Sequence, residues 1–526
     1  MAIIRPMKNS RLTRTGQGLA ALVMVSGAPA VLAANLSWTA GDGAWENAAN
    51  WSGGALPTAD DFVDITHPGN ITSNATANLA KELSNKSALS VNAGKLAVTG
   101  TADIFGALAV NGGADLDAGR INVASEGALL INGVGTAVSV VQGVFNYGNW
   151  SMGDSSTLGA ESFDNFKTLS ISGGASATAN SMINHSGAAA TLSGAGSALV
   201  IHGDITNDGD IHVETGAELN AHSIDNNNAL VVDKGVVQIN SQINVGSLEV
   251  GGVGGRFSAD DLVTNRGSVT VRAGASADIK ALDNFSTVVV DGAQLSGTSF
   301  KNNLDSSLSL TNGATVSFDS ALSASRFGIT IDGVDAQLQT VTFQQLSGTT
   351  AINGGTLAAS GAFGAQFVGG ELLGHGVIAG KLVLNGDAVL AAGDINDATQ
   401  SFDVTAGLDL LGGTFAVDLA GTSSNDYDLL DVSGAALLGG TLKVSLLSGF
   451  NPVLGDAFDI ILADSITGTF GNILLPTLSD GLKFTTINGG SFYRLEVAAV
   501  PLPAPALLLG GALGILGVAA RRRSPR

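Results

Sequence analysis

The strongest constraint on this chain is a repeat. Gly174, Gly196, Gly216, Gly235, Gly254, Gly274, Gly292 and Gly313 recur at intervals of 22, 20, 19, 19, 20, 18 and 21 residues, a period near 20. The segments GDIHVETGAELNAHSIDN (209–226), GSVTVRAGASADIKALDN (267–284) and STVVVDGAQLSGTSFKNN (286–303) share one pattern: alternating apolar positions, a Gly turn, a shorter apolar alternation and an Asn. Alternation with a period of two is the signature of strands, and no stretch of comparable length carries a helical stripe.

A single unit of this size cannot bury one apolar face on its own, because ordering each residue costs about 1–2 kcal/mol. Stacked units can, when each pairs with the ones above and below at about 4.8 Å and the inward Val, Ile, Leu and Ala form one core. The period therefore predicts an all-β β-solenoid (β-helix) with rungs of about 20 residues. Gly and Asn belong at its corners, where they tolerate positive φ, and Asn can also stack into side-chain ladders along the axis. A propeller or a stack of sandwiches asks for longer strands and more aromatic anchors than a 5% aromatic content supplies. With no Cys, stability outside the cytoplasm must come from burial and backbone pairing rather than disulfides.

The ends read differently from the body. Residues 1–33 have the layout of a secretory signal, with Arg5, Lys8, Arg11 and Arg14 ahead of an apolar stretch from Leu19 to Val25 and a small-residue cleavage site at Val31-Leu32-Ala33. Cleavage is expected after Ala33 or Ala34. At the other end, Pro501–Ala520 is an uncharged run of 20 residues followed by Arg521, Arg522, Arg523 and Arg526. As a helix it would be about 30 Å long, enough for one bilayer core, and the Arg cluster would stay cytoplasmic. The expected organisation is a signal peptide (1–33), an N-terminal cap with the first strands (34–88), the solenoid (89–350), a C-terminal β-rich region (351–499) and the terminal segment (500–526) with its transmembrane helix.

Val500-Pro501-Leu502-Pro503-Ala504, then the apolar run, then the Arg cluster, resembles the tripartite sorting signal of the PEP-CTERM family in its VPLPA form. The resemblance covers about 27 residues and concerns address rather than the activity of the body. It implies a Gram-negative bacterial protein exported by the general secretion machinery and held transiently in the inner membrane by its C-terminal helix. An exosortase-like membrane protease would then cut near the Pro-containing motif, leaving the protein at the cell surface or outside the cell. It further implies an association with exopolysaccharide and biofilm.

Ahead of the coil, Trp38, Trp45 and Trp51 fall within 14 positions, followed by Pro57. An open solenoid end exposes strand edges that must be covered, so these residues predict a Trp-rich cap; the competing reading is an aromatic platform for sugars. The spacing of this segment, and the textures of 369–394 and 426–470, resemble autotransporter passenger-type β-helices. A complete autotransporter carries its own membrane barrel, and with 26 residues after Val500 that mode of export is not expected.

Removing both ends leaves 16 basic against 45 acidic groups, a net of −29. Such a surface repels phosphate backbones, so nucleic acid is excluded as a partner. Candidate chemistry in the body is sparse. Gly374-His-Gly376-Val-Ile-Ala379 fits a dinucleotide turn, yet Lys381 onward continues as strand, so no helix N-terminus follows to hold a pyrophosphate. His202, His212 and His222 with Asp204, Asp208 and Asp210 form a constellation in which His202 and His222 would stack on consecutive rungs. Alternation turns His202 and His212 outward beside inward Ile201, Ile211 and Val213, which favours a solvated row over a metal site. Asp426, Asp428 and Asp431 are either solvated edge charges or a weak calcium site. A β-helix polysaccharide lyase or glycoside hydrolase is the enzymatic alternative. Such catalysis asks for facing carboxylates, with basic groups besides in solenoid lyases, and the coil's only Arg grouping is Arg256, Arg266 and Arg272. No catalytic residue, cofactor or metal is expected, and the sequence points to a surface or matrix structural or adhesive protein.

Overall fold

The structure is a computed structural model that describes residues 33–324, 327–393, 399–447 and 449–500. It is a β-solenoid. From Asn35–Ser37 to Asn472–Leu474 the strands pair in parallel, each with a partner about one rung further along the chain, so Trp150 lies opposite Leu129 on one side and Leu169 on the other. In the regular middle a rung is three short strands, as in Thr157–Gly159, Ser162–Asn165 and Thr168–Ile171, which stack on Ser176–Ala179, Ser181–Asn184 and Ala189–Leu192. Stacking runs through residues 88 and 350 without a change of pairing.

Most strands alternate inward and outward positions, and the inward residues join one continuous core from Leu36 to Val497. Ile211 and Val271 are fully buried, while Arg272 faces outward and His212 is half-buried, as alternation requires. Seven of the eight repeat glycines adopt positive φ, between 56° and 91°. Gly235 is the exception. At that corner Lys234 takes the left-handed conformation with φ of 59°. Gly235 is needed for space instead, since a Cβ there would lie 2.5 Å from the Val213 carbonyl oxygen.

The amide ladder predicted for the corners is present inside the coil. Asn146, Asn165, Asn184, Asn207 and Asn226 stack, each passing an Nδ2 hydrogen bond to the next Oδ1 at 2.6–2.8 Å. Each of the first four also donates to a carbonyl where the next rung's third strand begins, as Asn146 does to Thr168. Val245 interrupts the column, and Asn265, Asn284 and Asn302 resume it. A buried amide without partners would cost about 1–3 kcal/mol, so in-register stacking is what makes this polar column tolerable.

Both ends of the coil are closed. Trp38, Trp45 and Trp51 bury their indoles against one another edge to face, with centroids 5.0 and 4.8 Å apart. Two of their N–H groups are satisfied locally, that of Trp38 by the Gly41 carbonyl and that of Trp51 by the Trp45 carbonyl. At the other end the parallel pattern stops. Leu482–Asn488 and Phe492–Ala499 form an antiparallel hairpin that lies on Ala457–Gly468, pinned by a two-pronged ion pair from Arg494 to Asp459. Among the described residues no helix is long and apolar enough to cross a membrane. The transmembrane helix predicted over the terminal segment lies outside the described residues.

Candidate functional site

The histidine constellation separates into two parts. Ile201 pairs with Ala221, so His202 and His222 follow one another on stacked rungs. His212 sits on another face, opposite Thr191 and Val231. The acids are engaged along the axis rather than with the imidazoles: Asp204 accepts from the Ser223 hydroxyl, Asp208 from the Asn227 amide and Asp210 from the Asn228 amide. Among the described residues no three His, Asp or Glu side chains are grouped to hold a metal ion.

Asp426, Asp428 and Asp431 also diverge, and one of them corrects its expected setting. Asp428 is not a solvated edge charge. It is 1% exposed, accepts backbone N–H groups from Asp418 and Gln400, and lies beside the buried Asp418. Burial pushes its carboxyl up to about 8 despite those two hydrogen bonds, so near neutral pH it is protonated and a poor calcium ligand. Asp431 is exposed and lies in register with Asp403, whose carboxyl is pushed up by burial and then by the Asp431 charge.

The arginines do not converge. All three lie on the strand Arg256–Arg272, but Arg272 is ion-paired with Glu249 and Arg266 lies over the Phe285 ring, 5.8 Å from its centroid. Arg256 lines a shallow groove along the Gly254–Gly274–Gly292 corner. Gly374 and Gly376 sit within the strand Glu371–Leu384, where a Cβ on either would strike the rung below. The Trp cluster offers no platform to a sugar, because its three indoles are at most 2% exposed. Of the sorting motif expected from the sequence, Val500 is described: it follows the last described strand, is half exposed and donates its N–H to the Gly481 carbonyl. Pro501, Leu502, Pro503, Ala504 and Arg521–Arg523 lie outside the described residues.

One surface feature was not anticipated. The residue after most ladder Asn residues points outward at a corner, Asn303 being buried, and several of these residues are aromatic. Tyr147, Phe166 and His185 stack nearly flat, with centroids 4.3 and 3.7 Å apart and planes within 12°. The readable signal was the Asn-aromatic dipeptide in Asn146-Tyr147, Asn165-Phe166, Asn184-His185 and Asn284-Phe285, the first three at a spacing of 19. No protein-family model matches the chain, and no curated protein matches it.

Proposed function

We propose that this protein is an exported structural or adhesive component of the cell surface or extracellular matrix, associated with exopolysaccharide. In this reading the general secretion machinery carries it out of the cytoplasm of a Gram-negative bacterium. The C-terminal segment holds it in the inner membrane until an exosortase-like protease cuts at the motif Val500–Ala504. The observation that carries the reading is where the described strands begin and end. Among the described residues the first strand begins at Asn35, directly after the expected cleavage site, and the last ends at Ala499, directly before the motif. The motif thus starts one residue after the closing hairpin. The long disulfide-free coil suits a spacer or scaffold, since each rung depends only on its neighbours.

The experiment is a gene deletion combined with a depolymerisation assay. Cells lacking the protein should aggregate less or retain less polysaccharide, and purified mature protein should leave acidic and neutral polysaccharides uncut. Reproducible release of shorter chains, abolished by replacing one carboxylate or one of Arg256, Arg266 and Arg272 with the fold intact, would overturn the proposal in favour of a lyase or hydrolase.

A further inference from the structure

Between Phe105 and Tyr147 the aromatic corner column is interrupted, and the interruption is a groove. Phe105, Ala124 and Tyr147 occupy the same corner on three consecutive rungs, each following a residue whose carbonyl receives the next corner's backbone N–H. Phe105 and Tyr147 are each 46% exposed, and Ala124 between them leaves the space of a missing ring. The outer faces of the pair are occupied: Lys86 lies over Phe105 at 5.8 Å from its centroid, and Phe166 covers Tyr147. The faces left open therefore look toward each other across Ala124.

The gap between them is two rungs, about 9.6 Å. Van der Waals contact of 3.5–4.0 Å on each side takes up about 7–8 Å of it. What remains suits the puckered thickness of a saturated ring better than a planar one. The polar groups around the gap point the same way. Asp103 accepts the Asn122 amide at 2.7 Å and keeps further lone pairs for hydroxyl donors. Arg120 is exposed, is held over the Phe145 ring at 5.1 Å and makes no ion pair among the described residues, which leaves its guanidinium N–H groups available. Together these residues line a groove of about 360 Å³. Apolar ring faces with a few placed polar groups are the make-up of a small-ligand site.

We infer that this groove binds a pyranose unit of a polysaccharide, with the ring sandwiched between Phe105 and Tyr147 and its hydroxyls, or a carboxylate, on Asp103, Asn122 and Arg120. The inference deepens the matrix function proposed above and rests on it for the source of the glycan. Sugar stacking thus belongs on the side of the coil and not on the Trp cap.

The test is titration of purified mature protein with cellohexaose and with a hexamer of galacturonate, followed by calorimetry or ligand-observed NMR. Saturable binding of at least one is expected. Ala124→Phe, which fills the gap and continues the aromatic column, should weaken it roughly tenfold or more without lowering the melting temperature. Tyr147→Ala should weaken it similarly, and Arg120→Ser should weaken the uronate alone. No saturable binding of either probe by the unaltered protein, or binding that Ala124→Phe leaves unchanged, overturns the assignment. Complementing the deletion strain with Ala124→Phe separates this site from the broader proposal. A deletion phenotype that the variant fully restores rejects the groove as the glycan contact but keeps the matrix role, whereas no deletion phenotype rejects the matrix role itself.

Discussion

Asp428 is the residue whose protonation most directly couples to the fold. Its folded value of about 8 stands above the ordinary 3.8, so between these values the native chain keeps a proton that the unfolded chain has released. Stability from this residue is therefore fully present below about pH 4 and is lost as pH rises toward 8. Three other acids act in the opposite direction. Burial alone would raise Glu46 and Asp61, but hydrogen bonds from Asn78 and the Asn74 and Ala75 N–H groups, and from Thr58 and the Ala34 N–H, hold them below their ordinary values. Asp291 is lowered mainly by the Asn312 amide and the Thr311 hydroxyl. Their contributions are lost only on acidification below about pH 4–5, which leaves the window above it to Asp428, with a smaller term of the same sign from Asp403. Urea midpoints measured from about pH 5 to 9 should fall, and Asp428→Asn should flatten that fall. A midpoint that rises over this range would contradict the assigned burial. None of this was legible in the local sequence, where Asp426, Asp428 and Asp431 look alike; what sets Asp428 apart is contact with Asp418 and Gln400, brought together by the fold.

At the scale of strands and rungs, in-register stacking is both the source of cohesion and the constraint on side-chain choice. It places like positions about 4.8 Å apart, so acids on adjacent rungs would repel. At several positions the chain instead sets an amide beside an acid, as in Asn122 on Asp103, Asn180 on Glu161, Asn227 on Asp208 and Asn244 on Asp225, whereas Asp403 and Asp431 are stacked acids. The inward Asn column follows the same logic. Asn184→Val would strip partners from Asn207 and the Asp210 carbonyl and should cost about 1–3 kcal/mol. Val245→Asn would join the two runs of the ladder and should cost far less. Equal losses in thermal melts of the two variants would mean that the column contributes by bulk rather than by paired amides. This element was largely readable in advance, because a period near 20 with an Asn at a fixed place in each unit leaves few other arrangements. Lys234 escaped such reading because the turn there is set one residue before the repeat glycine, and the Asn-aromatic dipeptides escaped because one face of the column is apolar only at intervals. The closing hairpin was signalled by Asn488-Gly489-Gly490 between two alternating runs, a turn composition that breaks the parallel repeat.

For the molecule as a whole, the described coil is a rod closed at both ends, and the proposed function adds a leader before it and a sorting segment after it. The body is legible from periodicity alone, since stacking is a local rule repeated, whereas its address rests on short segments flanking the coil. The central claim is that the body is released from both. Mass spectrometry of the protein recovered from the cell surface and medium tests this most directly. The predicted species begins at Ala34 or Asn35 and ends near Pro503, without Arg521, Arg522 and Arg523. Recovery of surface protein that still carries residues 1–33 or the Arg521–Arg526 tail would contradict it.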